Sequence, residues 1–356
     1  MSSANADFVI VGAGSSGCAV AGGVSEGGER EVVLLEAGLR NGSPWIHLPI
    51  GYGKTMWDKS VNWAFHTEPD PNMAGRKIYW PRGKTLGGSS SINGLIAIRG
   101  QAEDYDHWCA LGNPGWSFHE VLPYFVKSES NDAADDRQLH GTSGPVTISR
   151  IRHKHDLIEA AIAAAQRLGV PRNDDFNGPS QEGVGYYQLT TRNGLRVSAA
   201  KAYLAPARRR RNLSIETRAH ATGVVFEGRR AVGVRFRQGG QEKEVRVRRG
   251  VVLSAGALQS PQLLMLSGIG PAAELQKHGI SVLIDRPAVG QNLQDHLQLR
   301  LIYRTRRPIT TNDQLNSLIG RVRIGLEWLL YRSGPLAVGI NQGGLFTRVL
   351  PDSKTP

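Results

Sequence analysis

At 356 residues, with 40% hydrophobic and 21% charged residues, the chain has the composition of an ordinary globular protein rather than a disordered or fibrous one. That length exceeds the size at which a single core stops growing, so two domains are expected. No apolar run approaches the roughly 18 residues of a membrane-spanning helix, so no transmembrane helix is expected in this sequence.

The first predicted elements lie within Asp7–Gly38. Phe8–Val11 is a continuous apolar run closed by glycine, the pattern of a buried strand. Gly12, Gly14 and Gly17 follow as G-x-G-x-x-G, and a small-residue helix is predicted from about Ser15. The first glycine permits a tight turn, the second lets a phosphate approach the backbone, and the third lets helix and strand pack closely. The free N–H groups at the helix start, with roughly half a positive charge, face that phosphate. Val32–Leu35 is the second strand, and Glu36 follows Gly17 by 19 residues, where a carboxylate can bond a ribose hydroxyl. Together these features predict a site for an adenine dinucleotide.

Leu39–Arg76 is rich in Gly, Pro and Trp and shows little periodicity, so a long surface excursion is expected there. Gly83–Asn93 reads GKTLGGSSSIN, a turn whose backbone N–H groups and hydroxyls suit pyrophosphate or the polar edge of a ring. Helices are predicted over Phe118–Lys127, with Ser117 as N-cap, and over Leu157–Leu168, ended by Gly169 and Pro171. A small helix is expected at Ser198–Ala207. Leu213–Leu253 then alternates in short runs separated by Gly- or Arg-rich turns, which predicts a β-meander. Its last strand, Val251–Ala255, is read as returning beneath the cofactor, and helices are expected over Gln259–Ser267 and Pro271–Gly279.

The net charge of +12 owes much to arginine, including Arg208–Arg211 and Arg246, Arg248 and Arg249. Aromatic residues are not interleaved with these clusters, so nucleic acid is not an expected partner. A solvated basic surface is the leading reading, and peripheral attraction to an anionic membrane is the alternative. The two cysteines, Cys18 and Cys109, give no disulfide framework, and no signal-peptide pattern precedes the first strand. A reducing cytoplasm is therefore expected, with peripheral placement at the inner membrane as the variant.

Three stretches carry a family resemblance beyond the dinucleotide fingerprint. Gly83–Asn93 resembles the first signature of the glucose–methanol–choline (GMC) oxidoreductases, and Gly256–Gly270 (GALQSPQLLMLSGIG) the second. Val289–His296 (VGQNLQDH) is similar to a further family stretch. Within the family, the chain looks most like bacterial choline dehydrogenase-like alcohol dehydrogenases.

The resemblance implies an α/β fold: a Rossmann-like FAD-binding domain with a parallel sheet and a β-meander, plus an incomplete α+β substrate-binding domain. The implied division gives 1–149 and 201–298 to the FAD-binding domain, with the excursion at 39–76 and the meander at 213–253. Residues 150–200 and 299–356 fall to the substrate-binding domain. It also implies FAD, a small primary alcohol oxidised to an aldehyde by hydride transfer, and oxygen or a quinone-like electron acceptor. By position, Ser15 and Ser16 would meet the pyrophosphate, Glu36 the adenosine ribose, and the backbone of Ala221 the adenine. Leu86, Ser89, Asn93, Gly94, Leu95 and Ile96 would line the pyrophosphate and flavin. Gly12, Gly14, Gly17, Ala37, Gly88, Ala255 and Gly256 complete the expected cofactor contacts.

Members with a covalent flavin place a histidine where this chain has Ile92, so dissociable FAD is expected. The family's catalytic base is a histidine in a C-terminal segment. Of ten histidines here the last is His296, so no catalytic residue is assigned within the chain and the base is expected beyond Pro356. A truncated chain or a complementing C-terminal polypeptide follows as an expectation, together with inactivity of the 356 residues alone. His296 is read as structural, beside Asp295. Trp63 and Trp80 are candidates to cover the flavin, with core packing as the alternative. Two rival readings stay open: a non-catalytic flavin-binding fragment, and a NAD-linked dehydrogenase. No metal-ligand spacing is present.

Overall fold

The computed structural model describes residues 5–131, 134–296, 298–350, 352–353 and 355–356. The chain divides into two compact units. One comprises the chain up to Ser43, Thr55–Ile92 and Ser198–Tyr303; the other comprises Pro44–Lys54, Asn93–Val197 and Arg304–Pro356.

The first unit is built on strands β1 (Asn5–Val11), β2 (Val32–Glu36), β3 (Leu213–Thr217), β4 (His220–Glu227), β5 (Arg230–Gln238) and β6 (Gln241–Leu253). They form one sheet in the order β3-β2-β1-β6-β5-β4. β3, β2, β1 and the second half of β6 run parallel, with Phe8 opposite Val32 and Val9 opposite Val251. Helix α1 (Ser15–Val24) makes the crossover between β1 and β2.

Alternation sorts the side chains onto two faces. Ile10 and Leu34 point to a core shared with Cys18, Ala21 and Ala200, whereas Val9, Val11 and Leu35 point to one shared with Val224, Val234 and Phe236. The antiparallel β4-β5-β6 meander therefore folds across one face of the parallel strands. Its hairpin tip reaches the end of β3, where Gln238 Nε2 donates to the Thr217 carbonyl at 3.0 Å.

The structure corrects the reading of Leu213–Thr217 as part of the meander: this strand is the edge of the parallel sheet, paired with β2. An alternating five-residue strand has the same pattern in either setting, so only its partner distinguishes them. Ser198–Ala207 is a wide π turn over Ala200–Leu204 running into a short α-helical turn, rather than one regular helix.

The N-terminal ends of the parallel strands form an arginine-rich edge. Asp7 Oδ2 accepts from the Glu31 N–H at 2.9 Å, and its other oxygen lies 3.0 Å from Arg248 Nε and 3.6 Å from Arg249 Nε. Arg210 donates to Ser25 Oγ at 2.9 Å, and Arg230 to the Arg248 carbonyl at 2.8 Å. Around these pairs Arg30, Arg208, Arg209, Arg211 and Arg229 are exposed.

In the second unit, helices Phe118–Ser128 and Asp156–Arg167 match the predicted periodicity, and Ser117 forms a capping box with Glu120. Ile162 and Ala165 pack with Leu95, Val184 and Leu189 in a separate core. Beside that core lies a buried polar network. His140 Nδ1 is 2.8 Å from Glu129 Oε1, its Nε2 is 2.9 Å from Asp175 Oδ2, and Arg99 pairs with the other Glu129 oxygen. The Asp175 and Glu129 carboxylates raise the His140 pKa to about 9 against the opposing effect of burial. The long helix Leu318–Tyr331 buries Ile324, while Leu318, Val322, Leu326 and Leu329 share an exposed face.

Candidate functional site

A cavity of about 440 Å³ opens at the C-terminal ends of β1, β2 and β6, entirely within the first unit. In doubly wound sheets this is where ligands bind. Its floor is the glycine turn. Gly12 has φ +95°, and a β-carbon there would lie 2.6 Å from the Ser254 carbonyl oxygen. At Gly17 a β-carbon would come within 1.9 Å of the Gly12 carbonyl oxygen, so only glycine lets α1 sit this close to β1.

Gly14 is different. A β-carbon there would meet nothing nearer than Ser254 O at 3.9 Å, so the protein's own packing does not demand this glycine. Gly14 also caps α1 without a side-chain bond, and no acid occupies the first turn. The helix N-terminus thus presents bare N–H groups at Ser15 and Ser16, both lining the cavity. Such a cradle fits an anionic pyrophosphate that must approach the backbone.

Glu36 ends β2 with its carboxylate on the cavity wall. Oε2 accepts from the Ala13 N–H at 2.9 Å and Oε1 from the Gly38 N–H at 2.8 Å, and the residue is 5% exposed. Burial raises its pKa to about 7, although both N–H donors and the Lys84 charge oppose the rise. Each oxygen keeps acceptor capacity for a ribose hydroxyl. Ala37 lies beside it, with Ala255 and Gly256 on the wall from β6.

The GKTLGGSSSIN turn reaches the same cavity. Gly88, at φ +52°, packs so close to Gly14 that a β-carbon would lie 2.7 Å from the Gly14 α-carbon, and the Gly87 N–H donates to the Ala13 carbonyl at 2.7 Å. The serines do not act alike. Ser90 and Ser91 donate to Gly87 and Leu86 carbonyls within the turn, at 2.6 and 2.8 Å. Ser89 accepts from the Gly83 N–H at 3.1 Å and lines the cavity. The expected display of several hydroxyls therefore reduces to one.

Of the residues singled out from sequence, the cavity brings together Gly12, Gly14, Ser15, Ser16, Glu36, Ala37, Gly88, Ser89, Ala221, Ala255 and Gly256. Gly17 acts beneath it through helix packing. Leu86 packs against the core around Ile10 and Leu34. Asn93, Gly94, Leu95 and Ile96 belong to the second unit. There the Asn93 side-chain and main-chain oxygens accept from Arg196 at 2.7 and 2.8 Å, and Leu95 is fully buried at φ +67°.

Trp63 is on the cavity wall, with Phe65, Arg82 and His220, whereas Trp80 pairs with Phe65 in a short ladder. Sequence reasoning missed Phe65, Arg82 and His220. They lie in the excursion, just before the serine turn and at the first residue of β4, where no periodic pattern marks a ligand wall. His296 is exposed. Among the described residues no cluster of His, Cys, Asp and Glu could hold a metal ion, and no helix is long and apolar enough to cross a membrane.

The chain is similar to several known proteins. The chain is 44% identical over 343 residues to an oxygen-dependent choline dehydrogenase of Brucella anthropi, covering 96% of this chain and 62% of that protein. It is 42% identical to an alcohol dehydrogenase (acceptor) of Pseudomonas putida, over 98% of this chain and 64% of that protein. Its fold superposes on the formate oxidase of Aspergillus oryzae with a TM-score of 0.88 at 28% identity, over 98% of this chain and 62% of that one. The chain thus spans less than two thirds of the length of these relatives. The GMC oxidoreductase sequence profile matches residues 6–298, which takes in the glycine turn, the serine turn and every wall of the cavity: the chain belongs to the GMC oxidoreductase family.

Proposed function

We propose that the first unit binds FAD non-covalently and that the protein serves the oxidation of a primary alcohol, in the manner of choline dehydrogenase, to the aldehyde. The observation that carries this reading is the cradle at Gly14, held open beside a carboxylate latched to Ala13 and Gly38. FAD, when bound, supplies a hydride acceptor. The chain's own residues supply binding and orientation. N–H groups of Ser15 and Ser16 meet the pyrophosphate, Glu36 holds the adenosine ribose, and Ser89, Ala255 and Gly256 flank the path toward the flavin.

Asn93–Ile96 are assigned to the flavin by resemblance. Ile92 is an aliphatic side chain at 5% exposure, which supports dissociable cofactor. Family membership favours FAD over NAD. The electron acceptor is assigned as oxygen or a quinone-like molecule, and the arginine-rich edge supports peripheral contact with an anionic membrane.

Proton removal from the alcohol hydroxyl is typically worth about 10²–10⁴ in rate. The titratable groups on the cavity wall are Glu36, Arg82 and His220, and we assign them to binding. The 356-residue chain alone is therefore proposed to hold FAD without oxidising alcohols, and a complementing polypeptide is the proposed source of activity. The test is anaerobic. Purified chain loaded with FAD is mixed with choline and a panel of primary alcohols, and acid precipitation then shows where the yellow colour goes. Uptake without bleaching, and colour in the supernatant, is the expected result. Failure to take up FAD would end the reading, rapid bleaching would place a base within these residues, and colour in the pellet would show a covalent link.

A further inference from the structure

We propose that the buried imidazolium of His140 is a positioning residue for the flavin. It closes a ring of polar contacts that fixes Ala97–Arg99 and, with them, the adjoining stretch Asn93–Ile96. The proposal rests on the assignment of that stretch to the flavin and goes beyond it by naming what holds the stretch in place.

The stretch has a conformation that needs outside support. Leu95 is fully buried at φ +67°, in the left-handed region, and such backbone persists only where its surroundings over-determine it. The Asn93 side chain accepts from the Leu95 N–H at 3.2 Å, and the Leu95 carbonyl accepts from the Thr190 N–H at 2.8 Å. Further along, the Ala97 N–H donates to the Gln188 carbonyl at 2.9 Å. Asn177 then grips the backbone twice, donating to the Ala97 carbonyl at 2.9 Å and accepting from the Arg99 N–H at 2.7 Å.

Both Gln188 and Asn177 lead to His140. Asp175 Oδ1 accepts from the Asn177 N–H at 3.0 Å and from Gln188 Nε2 at 3.3 Å, and its other oxygen faces His140 Nε2 at 2.9 Å. His140 Nδ1 faces Glu129 at 2.8 Å, and Glu129 pairs with the guanidinium of Arg99. The circuit therefore begins and ends on the 97–99 backbone, and all of it lies within the second unit. His140 is its keystone. Each ring nitrogen meets a carboxylate oxygen, so only the doubly protonated ring donates to both. Two cations then balance two carboxylates, whereas a neutral ring would turn a nitrogen lone pair toward a carboxylate in a buried site. The Asp175 and Glu129 carboxylates keep the ring protonated at neutral pH.

The experiment titrates the cofactor-free chain with FAD and with ADP, which lacks the flavin, and records the visible circular dichroism of bound FAD. His140→Gln can donate to only one of the two carboxylates. It should weaken FAD about tenfold, leave ADP unchanged and alter the flavin dichroism. Adding Asp175→Asn gives the glutamine oxygen an amide donor and should restore both signals. Ile324→Ala opens a cavity in the same unit away from the network. It should lower stability while the FAD-to-ADP ratio and the dichroism hold, which is how a merely structural loss behaves. Should His140→Gln not fold, Asn177→Ala cuts the same circuit at the 97–99 backbone and should show the same loss. Unchanged FAD affinity and dichroism in the folded network variants, or an equal change in Ile324→Ala, would overturn the proposal while leaving FAD binding intact. If the wild-type chain takes up neither FAD nor ADP, the FAD reading itself has failed and this proposal with it.

Discussion

Glu36 holds the glycine turn in shape through the Ala13 and Gly38 N–H groups, and the ribose contact proposed for it would bear on its proton. Burial lifts its pKa to about 7, so near neutrality part of the cofactor-free population is protonated. Ribose hydroxyls donating to the carboxylate favour the charged form, so cofactor uptake expels a proton. FAD affinity should therefore climb from about pH 5 to about pH 7 and level off above. Glu36→Ala should lose that slope and roughly 1.5–3 kcal/mol of binding, as fluorescence titration across pH would show. His140 gives the opposite sign in the second unit. Its pKa is raised above the ordinary imidazole value of about 6.5, to about 9 in the folded chain. The stability it contributes is complete below the lower value and lost as pH rises through the upper one. Urea midpoints between pH 7 and pH 10 should fall for the wild type and stay flatter for His140→Gln; parallel curves would remove the imidazolium from the argument. Nothing in the sequence marks His140, because Glu129 and Asp175 reach it from distant positions.

Among elements, β1, α1 and β2 were legible because each carries its own pattern: apolar runs closed by a turn, with small residues where helix and strand meet. The order of strands was not. β3 alternates as the meander strands do, and its place at the parallel edge follows from the turn at Ala200–Ala207 packing with α1, a contact without local signature. The serine turn was legible as a motif but not in its division of labour, since whether a hydroxyl faces the cavity or its own backbone depends on the turn's exact path. The glycines of the first turn separate packing from binding, and two variants should show it. Gly17→Ala forces a β-carbon to within 1.9 Å of the Gly12 carbonyl oxygen and should cost about 1–3 kcal/mol of stability as well as cofactor. Gly14→Ala, with its nearest contact at 3.9 Å, should melt close to the wild type yet bind FAD much more weakly. Thermal melts of the cofactor-free proteins, paired with FAD titration, decide between the two behaviours.

For the whole molecule, composition and length pointed to two units, and the family motifs to a flavin fold, well before any contact was known. Exposed apolar surface and association are expected from sequence, but its location on the stripe of Leu318, Val322, Leu326 and Leu329 is seen only in the structure. A face of this kind in water favours association, so light scattering should show concentration-dependent growth that Leu326→Glu reduces. The arginine edge acts at the other extreme of the first unit's sheet. The cavity opens where the parallel strands end, while Arg208–Arg211, Arg248 and Arg249 gather where they begin. A molecule captured through its guanidinium groups, on an anionic bead or a charged bilayer, would be held with its cofactor mouth turned outward. Immobilisation and loading then do not compete: protein adsorbed on such a surface should accept FAD as readily as protein in free solution, and salt should release the whole assembly with its cofactor still in place.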